Sequence, residues 1–358
     1  MSVLLAIAIL ATLVLVHEAG HFLAARGQGI HVSQFSLGFG PTLWKYQGDQ
    51  TEYALRLFPL GGYVGFPDDD PESKIPDHDP NLLKNRPILD RAIVISAGVI
   101  ANFIFAYFVL LMMITTVGIP VADQPGIKIS QIIGADAPAA IAGLRAGDVI
   151  LAVDQAAIGN QLSNLDQFQA LVAERPEVHL SVARDQQNLE FTVIPQGKPG
   201  RIGVGLSWNG TPRRQPITNP WEALAIATQE FNHLITTTWH GLVQLATNFS
   251  SVSSQVSGPV AIVAAGAQLA KSNQAGLFDF TAIISINLAI INLLPLPALD
   301  GGQLLFLLIE LLRGGKPLPA KLQENVMQGG LVVILGLGLF MVARDSLGLI
   351  QQSGLIPL

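Results

Sequence analysis

The chain has 358 residues, half of them hydrophobic and only 13% charged, whereas a soluble domain carries about 25% charged residues. This shortfall and the long uncharged runs indicate a membrane protein. The net charge of −6 comes without a basic stripe and argues against a nucleic-acid partner, and the lack of cysteine excludes disulfides and thiolate metal sites.

Residues 1–26 form the first apolar run and predict a transmembrane helix that is retained in the protein. A secretory signal has a cation before its apolar core, whereas here the first cation, Arg26, follows the run. The run also contains His17, Glu18 and His21, which a signal that is removed would not need. Arg26 predicts that the helix begins outside the cell and ends in the cytoplasm.

Residues 27–88 predict a membrane-associated β-hairpin and loop on the cytoplasmic side. Apolar and polar residues alternate over residues 51–57, and a turn signal lies at residues 47–50. The segments 35–41 and 58–64 are too apolar and too rich in glycine for an exposed loop. Such backbone persists near a bilayer only where it packs on protein or lines a wet cavity. Residues 89–119 then predict the second transmembrane helix.

Residues 120–197 are polar and rich in predicted strands. Residues 137–154 resemble the helix, turn and strand segment of a PDZ domain, and the chain has room for one such unit on the outer side. An unrelated small β-rich domain is the alternative. Residues 198–276 follow as an extracytoplasmic region with an amphipathic helix lying on the outer side. His233 and His240 are seven residues apart in it, which suggests either a metal site or simply a polar stripe.

The last third of the chain predicts two more membrane crossings. Pro295 and Pro297 break the third transmembrane helix. The following loop holds three cations, Arg313, Lys316 and Lys321, and is therefore predicted to be cytoplasmic. Four crossings from an outside start also place this loop inside. The predicted segments are a broken transmembrane helix at 277–312, the loop at 313–326, a transmembrane helix at 327–343 and a tail at 344–358.

The sequence His17-Glu18-Ala19-Gly20-His21 matches the HExxH pattern of zinc peptidases. Residues four apart share one face of a helix, so both imidazoles can bind one metal ion. Glu18 follows His17 directly and is predicted to act as the general base toward a zinc-activated water. Two histidines and a carboxylate inside a membrane helix are costly unless they serve a function.

Catalytic zinc usually takes a third protein ligand. Asp300 is the one carboxylate that the sequence places at a break in a membrane helix, at the same predicted depth as the histidines. The alternative interpretation is that Asp300 only caps the helix that follows.

HExxH in a first span and the late sequence NLLPLPALDGG (residues 292–302) together resemble the site-2 protease family of intramembrane zinc metalloproteases, and most of all its bacterial regulator of sigma-E protease branch. The resemblance also covers residues 96–103 and 257–262. It implies that His17, His21 and Asp300 bind zinc and that Glu18 is the base. It further implies that Asn292 contacts the substrate backbone or stabilises the tetrahedral intermediate, although Asn292 as a helix cap is an alternative.

The same resemblance implies that the hairpin, with Gly61 and Gly62, binds an unwound substrate. Two features depart from the family pattern: one PDZ unit replaces the tandem pair of well-known members, and Val99 stands where proline is common. The second departure is expected to change only a kink, because Asn102 is in place.

The sequence therefore predicts a polytopic α-helical membrane protein with about four transmembrane helices, a membrane-associated β-hairpin and one inserted extracytoplasmic PDZ domain. The resemblance implies a Zn²⁺ endopeptidase of the bacterial inner membrane, surrounded by lipid. Its expected partners are single-span membrane proteins, such as anti-sigma factors, and a site-1-type protease that cuts them first. A PDZ adaptor without catalysis and a transporter with broken helices are the alternatives; the first does not need Glu18 and Asp300, and the second does not explain HExxH.

Overall fold

The computed structural model describes residues 2–70, 73–160, 163–248, 257–272 and 274–352. The chain forms two compact units, the first made of Met1–Leu111 and Leu224–Leu358 and the second of Met112–Ala223. Helices dominate the first unit and an antiparallel sheet the second. The helices that lie wholly or mostly in the first unit are α1 (Ser2–Gly27), α2 (Ile88–Thr116), α5 (Pro220–Thr247), α6 (Pro259–Ser272), α7 (Gln274–Leu293), α8 (Asp300–Leu312) and α9 (Ala320–Gln352).

Within the described residues, four helices are long and apolar enough to cross a membrane: Ser2–Gly27, Ile88–Thr116, Ala275–Leu293 and Ala320–Leu347. This agrees with the four predicted spans. The last helix differs from its predicted bounds at both ends. It begins at Ala320, so the loop is shorter than 313–326, and it runs to Gln352, so residues 344–352 are helical instead of a tail. Residues 353–358 lie outside the described part of the chain.

The break between α7 and α8 is built by a tight backbone turn. Ala298 adopts a φ of +68°, and α8 begins at once with Asp300. A Cβ on Gly301 would lie 2.1 Å from the Leu294 carbonyl oxygen, and one on Gly302 would lie 2.3 Å from that of Leu296. Only glycine lets α8 start this close to the chain that precedes it. Leu299 is the N-cap residue, so the interpretation of Asp300 as a helix cap is wrong.

The predicted hairpin consists of β1 (Gln34–Gln47) and β2 (Glu52–Gly65). Each strand pairs in two registers. Residues 34–37 run parallel to 52–55 and antiparallel to 62–65, and residues 42–47 run antiparallel to 52–56. The two strands therefore make a small sheet in which residues 62–65 form one edge and residues 42–47 the other.

The second unit is built on a six-stranded antiparallel sheet. Its strand order is β8-β7-β5-β4-β9, with β6 paired to β5, and β9 adjoins β4 as an edge strand. Apolar residues of the sheet, such as Ile150 and Leu180, share a core with Phe168 and Val172. The elements are β3 (Ile119–Ala122), β4 (Ile127–Ile132), α3 (Pro138–Ile141), β5 (Val149–Val153), β6 (Ala156–Ala157), α4 (Ser163–Glu174), β7 (Val178–Arg184), β8 (Gln187–Val193), β9 (Val204–Trp208) and β10 (Pro212–Gln215).

The unit is therefore longer than the predicted 120–197, because β9 completes the sheet and β10 pairs with β3. Sequence periodicity missed β9, whose five residues alternate glycine and serine with apolar residues and carry a weak strand signal.

Helix α5 was predicted to lie on the outer side. In the structure Phe231, Leu234 and Leu242 pack against Ala106 of α2 and against Ile286 and Ile290 of α7. Thr238 also donates a hydrogen bond to Asn287 of α7, at 2.8 Å. Helix α5 thus packs against two of the candidate spans, a contact that the sequence did not predict. His233 and His240 are both exposed, and in the described residues they belong to no group of side chains arranged to hold a metal.

Candidate active site

The three predicted metal ligands lie together. His17 and His21 are one turn apart on α1, with their Nε2 atoms 3.2 Å from each other. The Oδ2 atom of Asp300, at the start of α8, lies 3.2 Å from His17 Nε2 and 3.4 Å from His21 Nε2. The turn between α7 and α8 thus brings the carboxylate to the histidine pair across 279 residues of sequence.

This triangle of donor atoms fits zinc. Ligands about 2.0–2.1 Å from a tetrahedral zinc ion lie about 3.3–3.4 Å from one another, and the three observed separations are 3.2, 3.2 and 3.4 Å. The Oδ2 atom of Asp300 is also buried without a hydrogen-bond partner, which is costly unless a cation neutralises it. Among the described residues this is the one His/Asp/Glu group suited to a metal.

Helix α2 fixes the orientation of both imidazoles. The Nδ1 atom of His21 lies 2.8 Å from the carbonyl oxygen of Val94. A carbonyl can only accept, so Nδ1 carries the proton and Nε2 keeps a lone pair for the metal. The Nδ1 atom of His17 lies 3.2 Å from the side-chain amide of Asn102.

If His17 binds a metal through Nε2, the Asn102 side chain must turn its amide oxygen, not its nitrogen, toward His17 Nδ1. With nitrogen facing Nδ1, the Oδ1 atom of this fully buried side chain has no partner. Exchanging the two amide atoms lets His17 Nδ1 donate to Oδ1 and leaves the His17 Nε2 lone pair free for the metal. Both histidines then present the same tautomer to the site.

Gly98 lets α2 approach the histidines. A Cβ at this position would lie 2.3 Å from His21 Nε2 and 2.8 Å from His17 Cε1. On the facing helix, a Cβ on Gly20 would lie 2.4 Å from the carbonyl oxygen of Ala97. The two glycines allow the contact between α1 and α2 on which the histidine hydrogen bonds depend.

The predicted base lies at the edge of the hairpin. The Glu18 carboxylate lies beside the backbone N–H of Val64, and its Cγ would lie 2.9 Å from a Cβ on Gly62. A cavity of about 410 Å³ opens here, and its lining includes Glu18, both histidines, Gly62 and Asp300. The predicted substrate residue Gly62 is therefore in the site, whereas Gly61 adopts a φ of +115° beside the Phe39 ring and is not part of this lining.

Asn292 lies near the end of α7, and its Nδ2 atom is 3.3 Å from His17 Nε2. The amide thus points at the metal-binding atoms. The site therefore combines residues of α1, α2, α7, α8 and the hairpin. Val94 and Gly98 were not singled out from the sequence. For Gly98 the available signal was its spacing of four residues from Asn102 within the apolar α2, because residues at that spacing share one helix face.

Comparison with known proteins shows to which family the whole chain belongs. The family model described as "Peptidase family M50" matches residues 5–337. The chain is 56% identical over 98% of its length to a Nostoc sp. protein named "Putative zinc metalloprotease all3971", covering 98% of that protein.

Two further relatives match nearly as much of the chain. It is 47% identical to the membrane metalloprotease ARASP of Arabidopsis thaliana, over 97% of this chain and 79% of that protein. It is 30% identical to the regulator of sigma-E protease RseP of Escherichia coli, over 92% of this chain and 96% of that one. A solved PDZ domain of an SdrC-like protein from Listeria monocytogenes covers 23% of this chain at 20% identity with a TM-score of 0.20, which is too low to support a fold. The chain belongs to peptidase family M50, the site-2 protease family, and is a membrane zinc metalloprotease.

Proposed function

We propose that this metalloprotease cuts the membrane-spanning segments of single-span proteins. The observation that carries the proposal is the position of the site: His17, Glu18 and His21 lie inside α1, a helix long and apolar enough to cross a membrane. Its ligand triangle with Asp300 has the donor spacing of zinc. Charged and metal-binding side chains at such a position face a protein interior and serve function.

The hairpin edge at residues 62–65 is the proposed binding site for the substrate. A peptide bond in a helix is shielded by its own hydrogen bonds, so the substrate must unwind into a strand before it is cut. This edge borders the cavity through Gly62. A strand added there lies beside Glu18, because the backbone N–H of Val64 in the same edge adjoins that carboxylate.

His17, His21 and Asp300 are the proposed zinc ligands. Bound zinc supplies Lewis acidity, which polarises a peptide carbonyl and lowers the pKa of water to about 7. Glu18 takes the proton of the attacking water on its carboxylate and delivers it to the leaving amide nitrogen. The Asn292 amide, 3.3 Å from His17 Nε2, donates to the substrate carbonyl oxygen as negative charge develops on it.

The biological setting extends the proposal. We infer that the substrates include anti-sigma-factor-like proteins already shortened by a site-1-type protease, and that the enzyme resides in a bacterial inner membrane. The second unit is proposed to be the extracytoplasmic PDZ domain, with β9, one of the two edge strands of its sheet, as the strand to which a peptide adds.

Three variants measured on one preparation test the catalytic assignment. Glu18→Gln is expected to keep about one zinc per chain and to accumulate uncut substrate, because the base is not a ligand. A His17→Ala/His21→Ala variant is expected to lose the metal. Asn292→Ala should keep zinc and melting temperature while turnover falls about 10²–10³-fold, as for loss of one oxyanion donor. Full zinc occupancy in the double histidine variant, or near-normal turnover by Glu18→Gln, rules the assignment out.

A further inference from the structure

A buried ion pair joins α2 to α8 at the far end of the active site. Arg91 Nη1 donates to Glu310 Oε2 at 3.1 Å, and Arg91 Nη2 donates to Glu310 Oε1. The two side chains are only 16% and 9% exposed. Glu310 is the one charged residue among residues 301–312. A buried pair of this kind costs desolvation that the attraction only partly repays, so its presence calls for a role other than packing.

Both partners lie on the helices that build the metal site. Arg91 is one turn before Val94, whose carbonyl orients His21, and it lines the same cavity as Asp300. Asp300 begins α8 and Glu310 lies in its last turn, ten residues and about 15 Å further along the axis. At 100° per residue their side chains are about 80° apart around the axis. Helix α8 is therefore attached at its start by the glycine turn and at its end by Arg91.

The bidentate geometry fixes the rotation of α8 about its own axis, because two parallel hydrogen bonds hold a carboxylate in one plane. A side-chain oxygen lies about 6 Å from the helix axis, so a rotation of 10° moves it by about 1 Å. Metal–ligand distances tolerate about 0.2 Å. A small rotation of α8 would thus take Asp300 out of ligand range while leaving the helix intact.

We propose that Arg91 and Glu310 are positioning residues that hold the Asp300 carboxylate at ligand distance from His17 and His21. The proposal rests on the zinc role assigned to Asp300 above. It concerns the geometry of the ligand, not contact with the substrate, so its consequences appear in metal binding even without substrate.

Arg91→Lys and Glu310→Gln test it, since the first keeps the charge but loses the two-pronged contact. Three readouts suit the purpose: zinc retention against a chelator, the visible spectrum of the cobalt(II)-substituted protein, and the melting temperature. Both variants should bind zinc about tenfold more weakly, the lower end of the effect of groups that orient ligands, and shift the cobalt bands.

The matched control is Arg184→Lys in the second unit, where Arg184 makes an equally close two-pronged contact with the buried Asp148, with Nε–Oδ1 and Nη2–Oδ2 both 2.7 Å. It should lower the melting temperature and leave zinc affinity and cobalt bands unchanged. An Arg91→Met/Glu310→Met variant leaves no buried charge unpaired. We expect it to recover thermal stability but not zinc affinity.

Asp300→Ala, measured alongside, separates the two hypotheses. If Asp300→Ala keeps full zinc affinity, the ligand assignment itself fails. If Asp300→Ala loses zinc while Arg91→Lys and the double Met variant both bind it as the wild type does, the ligand assignment holds and the positioning role is wrong. This second comparison stays decisive even if Glu310→Gln does not fold.

Discussion

Gly98→Ala should damage the metal site while leaving the helix that carries it intact. The added Cβ would lie 2.3 Å from His21 Nε2, 2.7 Å from His21 Cε1 and 2.8 Å from His17 Cε1, whereas ordinary contacts begin at 3.4 Å. His21 Nε2 must therefore retreat by about 1.1 Å, or α2 must move away from α1. Either movement separates the donor atoms or breaks the hydrogen bond from His21 to Val94.

The size of the effect follows from the tolerances of such sites. Zinc–ligand distances vary by about 0.2 Å, and a misplacement of 1 Å in catalytic geometry costs about 100-fold in rate. We therefore expect zinc to bind about 10–100-fold more weakly and turnover at saturating zinc to fall about 100-fold. Stability should change little, because overpacking costs about 1–3 kcal/mol and replacing glycine by alanine in a helix returns about 1 kcal/mol.

Zinc content after dialysis against a chelator, cleavage of a single-span substrate in detergent and thermal unfolding measure the three quantities. Gly336→Ala is the control, because a Cβ at Gly336 of α9 has nothing within 4 Å, and it should match the wild type in zinc and turnover. If Gly98→Ala binds zinc and cuts substrate within twofold of the wild type, the close approach of α2 to the histidines does not exist in the protein.

Three other predictions concern hydrogen bonding, pH and topology. Asn102→Asp should keep zinc and Asn102→Leu should lose it, because only an oxygen can accept the hydrogen bond from His17 Nδ1. Loss of zinc in both variants would show that the amide nitrogen faces the imidazole. Burial opposes ionisation of Asp148, but hydrogen bonds from Arg184 and from the backbone N–H of Arg145 outweigh it and hold its pKa below the ordinary 3.8. The ionised Asp148 therefore stabilises the second unit above pH 3.8, and this stabilisation is lost as the pH falls through the lower pKa of the folded state. Rates of hydrogen exchange in β5 and β7 should differ between the wild type and Asp148→Asn at pH 6. The two rates should converge well below pH 3.8. An impermeant thiol reagent added to intact cells should label Asn188→Cys and not Lys316→Cys, and the reverse pattern would overturn the predicted orientation.

The clustering of His17, His21 and Asp300 could be predicted because it follows from local geometry. His17 and His21 share a helix face by spacing alone, and Pro295 and Pro297 require a break from which a carboxylate can reach the same depth. The four long apolar helices follow from composition in the same way. In each case the information lies in a short stretch of sequence.

The supporting residues could not be predicted, since they depend on which faces of two helices meet. Nothing local to α2 indicates that Gly98 and Asn102 face α1, and Val94 contributes through its backbone, which has no sequence signature. The pairing of Arg91 with Glu310 joins residues 219 apart. The packing of helix α5 could not be predicted for a similar reason: its polar residues indicate water on one side, but not that Phe231 and Leu242 pack against α2 and α7.

The two histidines are held by acceptors of different kinds, and this has a consequence for mutational studies of the site. His21 depends on the carbonyl of Val94, which every substitution except proline leaves in place, whereas His17 depends on the Asn102 side chain. A scan of α2 should therefore detect Asn102 and Gly98 and pass over Val94, although Val94 orients a ligand as directly as Asn102 does. Tolerance to substitution at Val94 thus reflects the source of the hydrogen bond, and the helix backbone itself is part of the metal site.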